Sequence, residues 1–465
     1  MYASVFKFVG ASLLAFAVIW ALVLGWWQAN DHTPTTGELL LYLGALPLAV
    51  VGGYWLLRGF IEHLKTPPPT LEAAPLDRVD PLAGESTRTA ARERGYTLGL
   101  IGASILSGAG NALELLDAAS AGARPRPDET LVDDAGFPVF AARIATLEID
   151  EIGERLRAHD AALADALGTG EHLRLLALVD AALPPALAQV REHMAQGDPQ
   201  ARLHLLWLLP PGIAAAHLAP LQAWLRAHYL ADIDPARFML DLRQVSSEAA
   251  ALQEVDTLIL AAQDAPDAPN VHLVLAAVSA IGPATVSAWS ARQQLFCATQ
   301  QDGSIPGECA VCFILGEARQ GDPQVRLSRI SLAERDKSID AGGRISGALT
   351  EQLMNGLLTI HGLDASTVQA VVSDADHHPR RGAELFDALS DAFEQIATDE
   401  GIHRVATAAG HAPPFGALLA LACAWEQSAA LMQPVLALSQ QHPTARAAAL
   451  LLPTPVPPDA SGVAT

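Results

Sequence analysis

From residue 95 onward the chain alternates short apolar runs with stretches in which apolar residues recur every three or four positions. Continuous apolar runs are typical of buried strands, and the longer period is typical of amphipathic helices. The alternation of the two predicts an α/β domain. The predicted strands are "YTLGLIGAS", "LHLLWLLPPG", "FMLDL", "VHLVLAAVSA" and "CAVCFILGE", and the predicted helices are "NALELLDAASAG", residues 172–195, residues 216–229 and "SSEAAALQEVDTLILAAQ".

A second cycle of the same kind follows. "SGALTEQLMNGLLTIHGL" predicts a helix, "VQAVVSD" a strand, and "GAELFDALSDAFEQIA" and "GALLALACAWEQSAALM" two further helices. Two successive α/β halves suggest an internal duplication of architecture, although the halves share no recognisable sequence identity. We therefore predict a duplicated, layered α/β domain over residues 95–450, followed by a disordered tail over residues 451–465.

Two uncharged apolar runs near the N-terminus have a different character. Residues 8–27 and residues 39–57 are each about long enough to cross 30 Å of hydrocarbon at 1.5 Å per residue. A cleaved signal peptide is the alternative for the first run, but a second run so soon after it argues against cleavage. We predict a two-helix transmembrane hairpin over residues 1–65.

The charges around these two runs predict their orientation. The segment between them has Asp31 and Glu38 but no lysine or arginine, whereas Lys7 precedes the first run and Arg58 follows the second. Cytoplasmic flanks carry the excess of positive charge, so both termini are expected in the cytoplasm. A proline-rich, charged linker over residues 66–94 would then join the membrane anchor to a cytoplasmic domain.

Charge and cysteine content exclude some functions. The chain has 29 basic and 51 acidic side chains, a net charge of −22. Nucleic-acid binding needs clustered basic residues that displace counterions from phosphates, so we expect no nucleic-acid partner. The four cysteines show neither a disulfide framework nor a paired zinc spacing, and Cys309 and Cys312 lie inside an apolar run. We interpret those two as packing residues rather than a redox pair.

Four stretches resemble the thiolase-like superfamily and, within it, the β-ketoacyl synthases. "TLGLIGASILSGAGNALELLDAASAGARP" is similar to their opening strand, turn and helix, and "LFCATQQDGSIPGECAVCFILGE" to a Phe, a Gly-x-x-Pro-Gly-Glu turn and a strand. "LDASTVQAVVSDADHHPRRGAEL" resembles the strand that delivers their first catalytic histidine. "RVATAAGHAPPFGALLALA" resembles their Gly-His at the head of a buried helix.

The catalytic set that this resemblance implies is incomplete. A condensing enzyme needs a thiolate at a helix N-terminus and two histidines that stabilise an oxyanion. The resemblance places the cysteine at the helix start in "QVSSEAAALQ", but no cysteine occurs before Cys297. Ser246 would need an adjacent base to replace it, and the alternative is that Ser246 caps the helix.

The histidine positions are also altered. Asp374 or Asp376 falls where the first histidine is expected, with His377 close behind, and His411 alone remains in register. Because members of a catalytic set act as a unit, we expect catalysis to be lost. We treat His377, His411, Asp376 and Glu308 as remnants of the set, and we expect His411 to cap the following helix.

The same loop offers a metal-binding alternative. "DADHHP" resembles the Asp-His-His motif of two-manganese phosphoesterases, and carboxylate and imidazole ligands suit such a site. The accompanying Asp-x-Asp strand is missing, so a solvated loop is the competing interpretation. The ligands under this alternative would be Asp374, Asp376, His377 and His378.

Taken together, the sequence predicts a membrane-anchored binding protein without cofactor. Its layout is similar to the type VI secretion lipase adaptors, which implies a lipase effector and a spike protein as partners. The alternatives are an acyl-transfer or condensing enzyme, or a regulator that binds an acyl chain, at the inner membrane. A homodimer is expected by analogy with the synthases.

Overall fold

The computed structural model describes residues 85–197, 201–264, 270–317, 325–390, 392–396 and 400–454, together with isolated positions between residues 20 and 46. The chain divides into two compact units, residues 1–78 and residues 79–465. Apart from those isolated positions, the predicted spans at 8–27 and 39–57 lie outside the described residues, as does most of the predicted linker.

Twelve α-helices and thirteen strands form the described part of this unit. The helices are α1 (Glu85–Arg94), α2 (Ala112–Ser120), α3 (Ile149–His159), α4 (Ala161–Leu167), α5 (Gly170–Ala195), α6 (Ala215–Tyr229), α7 (Glu248–Asp264), α8 (Pro283–Ala291), α9 (Ala348–His361), α10 (Pro379–Leu389), α11 (Ala406–Ala409) and α12 (Gly416–Leu431). The strands are β1 (Thr97–Ser107), β2 (Arg126–Val132), β3 (Pro138–Ala141), β4 (Arg202–Leu209), β5 (Phe238–Gln244), β6 (Asn270–Ser279), β7 (Glu308–Gly316), β8 (Val325–Ser328), β9 (Ser331–Glu334), β10 (Ala370–Ser373), β11 (Ile402–Arg404), β12 (Val435–Ser439) and β13 (Ala445–Pro453).

Strand order reveals the internal duplication. The main sheet runs β11-β10-β12-β13-β8-β1-β7-β6-β4-β5. In the first half, β4 is parallel to β5 and β6, and β7 is antiparallel to both β6 and β1. In the second half, β10 is parallel to β11 and β12, and β13 is antiparallel to both β12 and β8. The two halves thus repeat one topology in one chain order, which confirms the predicted duplicated, mixed α/β architecture.

The apolar cores show how the layers stack. One core contains inner-face residues of both halves together with α7 and α12, the helices at equivalent places in the two repeats. A second core joins the outer face of the first half to α5 and α6, and a third joins the outer face of the second half to α9 and α10. The central helices are therefore enclosed by sheet on both sides. In α12 nearly every residue from Gly416 to Trp425 is buried, so its sequence is apolar around its whole circumference.

The structure corrects three boundaries predicted from the sequence. Strand β13 extends to Pro453, so the first three residues of the predicted tail belong to the sheet. Helix α1 occupies the end of the predicted linker. The stretch between the helix predicted in "NALELLDAASAG" and the helix predicted over residues 172–195, for which no element was predicted, contains the hairpin of β2 and β3 and the helices α3 and α4, whereas the helix predicted over 172–195 is confirmed as α5. Helices α3 and α4 are short and follow a strand pair outside the main sheet.

One described helix, α5, has the length and hydropathy of a membrane span. Its apolar window is 61% buried inside the fold, against β6 and β7, and it carries Pro184 and Pro185.

A buried ion pair fixes the start of β7 to α5. The Arg174 guanidinium contacts both oxygens of Glu308, and its Nε lies 2.8 Å from Oε2. The same carboxylate accepts hydrogen bonds from the Ile144 amide at 2.7 Å and the Ser279 hydroxyl at 2.7 Å. Glu308 is fully buried and its acceptor capacity is used by these structural partners. Four separate segments of the chain therefore meet at one carboxylate.

We predict that Arg174→Leu strongly destabilises the protein, because it leaves the Glu308 carboxylate buried without its counter-charge. Loss of one partner of a buried pair costs about 3–5 kcal/mol. Chemical denaturation of the full-length protein would measure this loss. Arg191→Leu is the matched control, since the Arg191–Asp232 pair is exposed and worth about 1 kcal/mol or less. Equal losses in the two variants would contradict the structural role of Glu308.

Candidate functional site

The functional-site candidates meet at the carboxyl ends of β10 and β12, where the chain turns into α10 and toward β13. Parallel neighbours end at the same edge of a sheet, and ligand and catalytic groups of α/β proteins commonly lie there. We call this set of buried polar residues the carboxyl-edge cluster. It consists of Glu248, Asp374, Asp376, His378, Arg381, Ser439 and Gln441.

Asp374 anchors the loop that follows β12. Its Oδ2 accepts a hydrogen bond from the Ser439 hydroxyl at 2.7 Å, and its Oδ1 accepts from the backbone amides of Gln440 at 2.6 Å and Gln441 at 3.1 Å. The residue is 1% exposed. Burial raises the pKa of Asp374 above its ordinary value, and the hydrogen bonds offset only part of that effect. Both oxygens thus act as structural acceptors.

The pKa of Asp376 is shifted in the opposite direction. Burial by itself raises this pKa, but the positive charge of Arg381, 3.9 Å away, and a hydrogen bond from Gln441 lower the pKa below its ordinary value. The Gln441 Nε2 donates to Oδ2 at 2.7 Å, and the His378 amide donates to Oδ1 at 2.9 Å. Asp376 is therefore an ionised residue that orders the turn into α10.

The two adjacent histidines point to different surroundings. The ring of His377 packs edge-on against Phe296 with centroids 5.1 Å apart, and its Nε2 is buried without a hydrogen-bond partner in the described residues. His378 caps α10, its Nδ1 accepting from the Arg380 amide at 3.2 Å. Burial lowers the pKa of His378 below its ordinary value. The residue that precedes the Gly-x-x-Pro-Gly-Glu stretch, Phe296, thus contacts a histidine of the loop after β10, which the sequence did not predict.

His411 does not cap the following helix, which corrects the prediction. Helix α12 begins after Phe415 without a side-chain cap. The His411 backbone instead pairs with the Gly-x-x-Pro-Gly-Glu turn, donating to the Ile305 carbonyl at 2.7 Å and accepting from the Gly307 amide at 3.0 Å. A Cβ on Gly307 would lie 2.3 Å from the Ala409 carbonyl, so only glycine allows this approach. The ring stacks on Trp289, and burial lowers its pKa to about 4, so it is neutral at physiological pH.

The start of α7, where the resemblance would place a nucleophile, carries no thiol. Ser247 caps this helix, its hydroxyl accepting from the Ala250 amide at 3.2 Å, whereas Ser246 is exposed. The prediction that Ser246 is the cap was therefore wrong by one residue. The next residue, Glu248, is 4% exposed. Burial, followed by the nearby charge of Asp374, raises its pKa to about 7.

Glu248 and Arg381 were not identified from the sequence as site residues. A glutamate in the first turn of a helix is ordinarily an exposed residue that favours the helix dipole. Arg381 lies in a charged run, "HPRRGAE", that reads as solvated. Both residues are buried by contacts with distant parts of the chain, and such contacts cannot be predicted from the local sequence pattern.

The four predicted metal ligands are not brought together as a ligand set. The oxygens of Asp374 and Asp376 accept hydrogen bonds from Ser439, Gln440 and Gln441. The ring of His377 packs against Phe296, whereas the ring of His378 caps α10. In the described part of the chain, no group of three or more His, Cys, Asp or Glu residues is arranged to hold a metal ion. The metal-binding alternative therefore has no geometric support in these residues.

The cysteines have very different environments. Burial raises the pKa of Cys309 and of Cys312 to about 12, and it also raises the pKa of Cys423. Cys309 and Cys312 lie on opposite faces of β7, because side chains three apart on a strand point to opposite sides. They cannot form a redox pair. Cys297 is partly exposed, and a hydrogen bond with Thr299 lowers the pKa of its thiol.

Comparison with known proteins adds a remote likeness of fold. No protein-family model matches the chain, and no curated protein matches it. Similar solved structures include the ishigamide ketosynthase/chain length factor, 17% identical over 77% of this chain and 100% of the other, with a TM-score of 0.48. The ketosynthase from module 6 of the bacillaene synthase of Bacillus subtilis 168 is 12% identical over 77% of this chain and 72% of the other chain, with a TM-score of 0.49. A β-ketoacyl synthase from Burkholderia phymatum STM815 is 14% identical over 77% of this chain and 100% of the other chain, with a TM-score of 0.48. These similarities are too remote to bear on activity.

We predict that Glu248→Gln stabilises the protein at high pH. The folded-state pKa of about 7 lies above the ordinary value of 4.5, so the folded state holds this proton more tightly than the unfolded chain. The favourable contribution is present below about pH 4.5 and is lost as the pH rises through about 7. At pH 8 the glutamine variant should gain about 1–3 kcal/mol over wild type, and the gain should shrink toward pH 5.

Chemical denaturation at several pH values would measure this change. Glu254→Gln, which removes a negative charge from the same helix at a less buried position, is the control. A stability difference for Glu248→Gln that does not vary with pH would contradict the assignment.

We also predict that a maleimide labels one thiol per native chain. Cys297 is the accessible thiol with a lowered pKa, and the other three cysteines are buried in the sheet or in α12. Mass spectrometry of the labelled protein should locate the adduct at Cys297, and Cys297→Ser should abolish native labelling. All four thiols should react after denaturation. Rapid native labelling of Cys309 or Cys312 would refute the assignment of these residues to the core.

Proposed function

We propose that this protein is a non-catalytic binding protein of ketosynthase-like fold. The observation that carries the proposal is the state of Asp374, whose two oxygens accept three hydrogen bonds from residues 439–441. A general base or oxyanion partner must keep a site free for the reacting atom. Asp374 is one of the two residues, with Asp376, that the sequence resemblance places at the histidine position, and its oxygens hold the loop after β12.

The nucleophile position supports the same proposal. The residues that begin α7 supply a capping hydroxyl and a buried carboxyl, and neither is paired with a base. The thiols of the chain other than Cys297 lie in apolar cores, where burial suppresses ionisation. Cys297 lies on a tight turn between Phe296 and Gln300 rather than at a helix N-terminus.

The hairpin of β2 and β3 is the favoured binding surface. Its tip exposes Phe137 at 68% and Val132 at 49% of their surface. The tip is nevertheless ordered, because Asp133 accepts hydrogen bonds from the amides of Ala135 at 2.9 Å and Phe137 at 2.8 Å. Rigidly presented aromatic residues are frequent anchors of protein interfaces. The hairpin lies within residues 120–200, where the sequence departs most from the synthases.

We further propose the partner and location that the sequence layout implies. The N-terminal hairpin would hold the domain at the cytoplasmic face of the bacterial inner membrane, and the domain would load a type VI secretion lipase effector onto the spike protein. A homodimer through β5 fits the same proposal, because β5 ends the sheet and Met239 on it is 52% exposed. Acidic side chains near the tip, such as Asp134, favour a partner surface with basic residues around an apolar pocket.

We predict that Phe137→Ser weakens binding of the lipase effector at least tenfold, since loss of a central aromatic anchor costs about 2 kcal/mol or more. Full-length protein and the effector encoded beside it would be titrated by surface plasmon resonance. Phe386→Ser is the matched control, because Phe386 is an exposed aromatic residue on α10. Absence of binding by wild type, or an equal effect of the two variants, would contradict the proposal. Acyl-carrier-dependent turnover that is lost in His411→Ala would favour the enzyme alternative instead.

A further inference from the structure

Arg404 has an unusual environment for a positive charge. It is the last residue of β11, a strand at the edge of the main sheet, and its side chain reaches across α10. A Cβ on Gly382 would lie 2.9 Å from its Nη1, so the guanidinium rests directly on that glycine. In the described part of the chain, the guanidinium donates a single hydrogen bond, from Nη1 to the Asp376 carbonyl oxygen, at the long distance of 3.5 Å. Among the described residues, no carboxylate forms an ion pair with Arg404.

A second arginine approaches the same place. The Ser120 hydroxyl at the end of α2 lies 3.0 Å from the Nδ1 of His403, which fixes the end of α2 beside β11. The chain then turns, with the Ala123 amide bonded to the Ala118 carbonyl, and presents the exposed Arg124. In the described part of the chain Arg124 has neither an ion pair nor a hydrogen bond. Burial lowers the pKa of Arg404, the negative charge of Asp376 opposes part of that shift, and the positive charge of Arg124 adds to it.

Two unpaired guanidinium groups in this position lower the stability of the folded protein unless an anion binds between them. A half-buried guanidinium loses part of its hydration, and a like charge nearby adds repulsion. The protein has 51 acidic side chains, yet those in the described residues leave both guanidinium groups unpaired. Elsewhere in the molecule, buried arginines such as Arg174 and Arg446 are fully paired with glutamates. Arg404 therefore differs from the arginines that serve packing.

We propose that Arg404 and Arg124 form a binding site for a phosphate group. Guanidinium groups bind phosphate through paired, charge-assisted hydrogen bonds, and two of them suit its three oxygens and double charge. This site is separate from the hairpin surface and does not depend on the adaptor function.

Calorimetry on the full-length protein tests the site with three probes: inorganic phosphate, glycerol 3-phosphate and, at matched ionic strength, chloride. We expect saturable binding of the two phosphates and none of chloride. Tighter binding of glycerol 3-phosphate would identify a phosphate ester, such as a lipid headgroup, as the ligand class, and tighter binding of inorganic phosphate would identify the free ion. No saturable binding of either phosphate overturns the proposal.

Variants distinguish a binding role from a structural one. Arg404→Gln and Arg124→Gln should each weaken phosphate binding about tenfold or more. Arg243→Gln, which changes an exposed arginine on β5, should leave the affinity unchanged. Without phosphate, Arg404→Gln should unfold at the same or a higher denaturant concentration than wild type, because it removes an unpaired charge. Unchanged affinity in Arg404→Gln, or a lower midpoint without phosphate, would show that Arg404 has a structural role only.

Discussion

The enclosure of α7 and α12 between two sheet faces is the constraint on which the rest of the structure depends. A helix covered on both sides must be apolar all round, and polar groups can be accommodated only at its ends. The carboxyl-edge cluster lies at the N-terminal ends of these helices, with Gly416 of α12 beside Asp374 and Glu248 opening α7. Every polar side chain there must find a partner from another segment. Asp374 and Asp376 do so through Ser439, Gln440 and Gln441.

The same constraint explains how a site can change without loss of the fold. The duplicated topology is maintained by strand pairing and by three apolar cores, none of which requires a particular catalytic side chain. At the carboxyl edge, the requirement is that buried polar groups be satisfied. Carboxylates that accept hydrogen bonds from a neighbouring loop meet that requirement, and a catalytic group is not needed to meet it. The hydrogen bonds of Asp374 and Asp376 meet it here, and Glu248 is the cluster's least favourably placed carboxyl, because it is buried and faces the charge of Asp374.

Much of the architecture could be predicted from local pattern. Strands β6 and β7 are buried on both faces and therefore read as continuous apolar runs, and α12 reads as an uninterrupted helix. Both strands beyond residue 432 were missed. Strand β13, "ARAAALLLP", is rich in alanine, which has low strand preference, and its burial comes from its neighbours β8 and β12. Hairpin β2–β3 was missed for a related reason, since many of its residues are exposed and charged and only Leu131, Val139 and Ala141 enter the core.

The sequence by itself determined the class of fold, the repeat of two α/β halves, the absence of a thiol at the start of α7, and the proximity of Asp374 and Asp376 to a strand end. These features depend on periodicity and residue identity, which are local. The tertiary structure alone decided which polar groups are partners: Glu308 with Arg174, Asp374 with the loop after β12, and His411 with the turn at 305–307. It also left Arg404 and Arg124 without carboxylates among the described residues. Such pairings join residues that are tens to hundreds of positions apart, and burial selects them by three-dimensional distance, which no local pattern encodes.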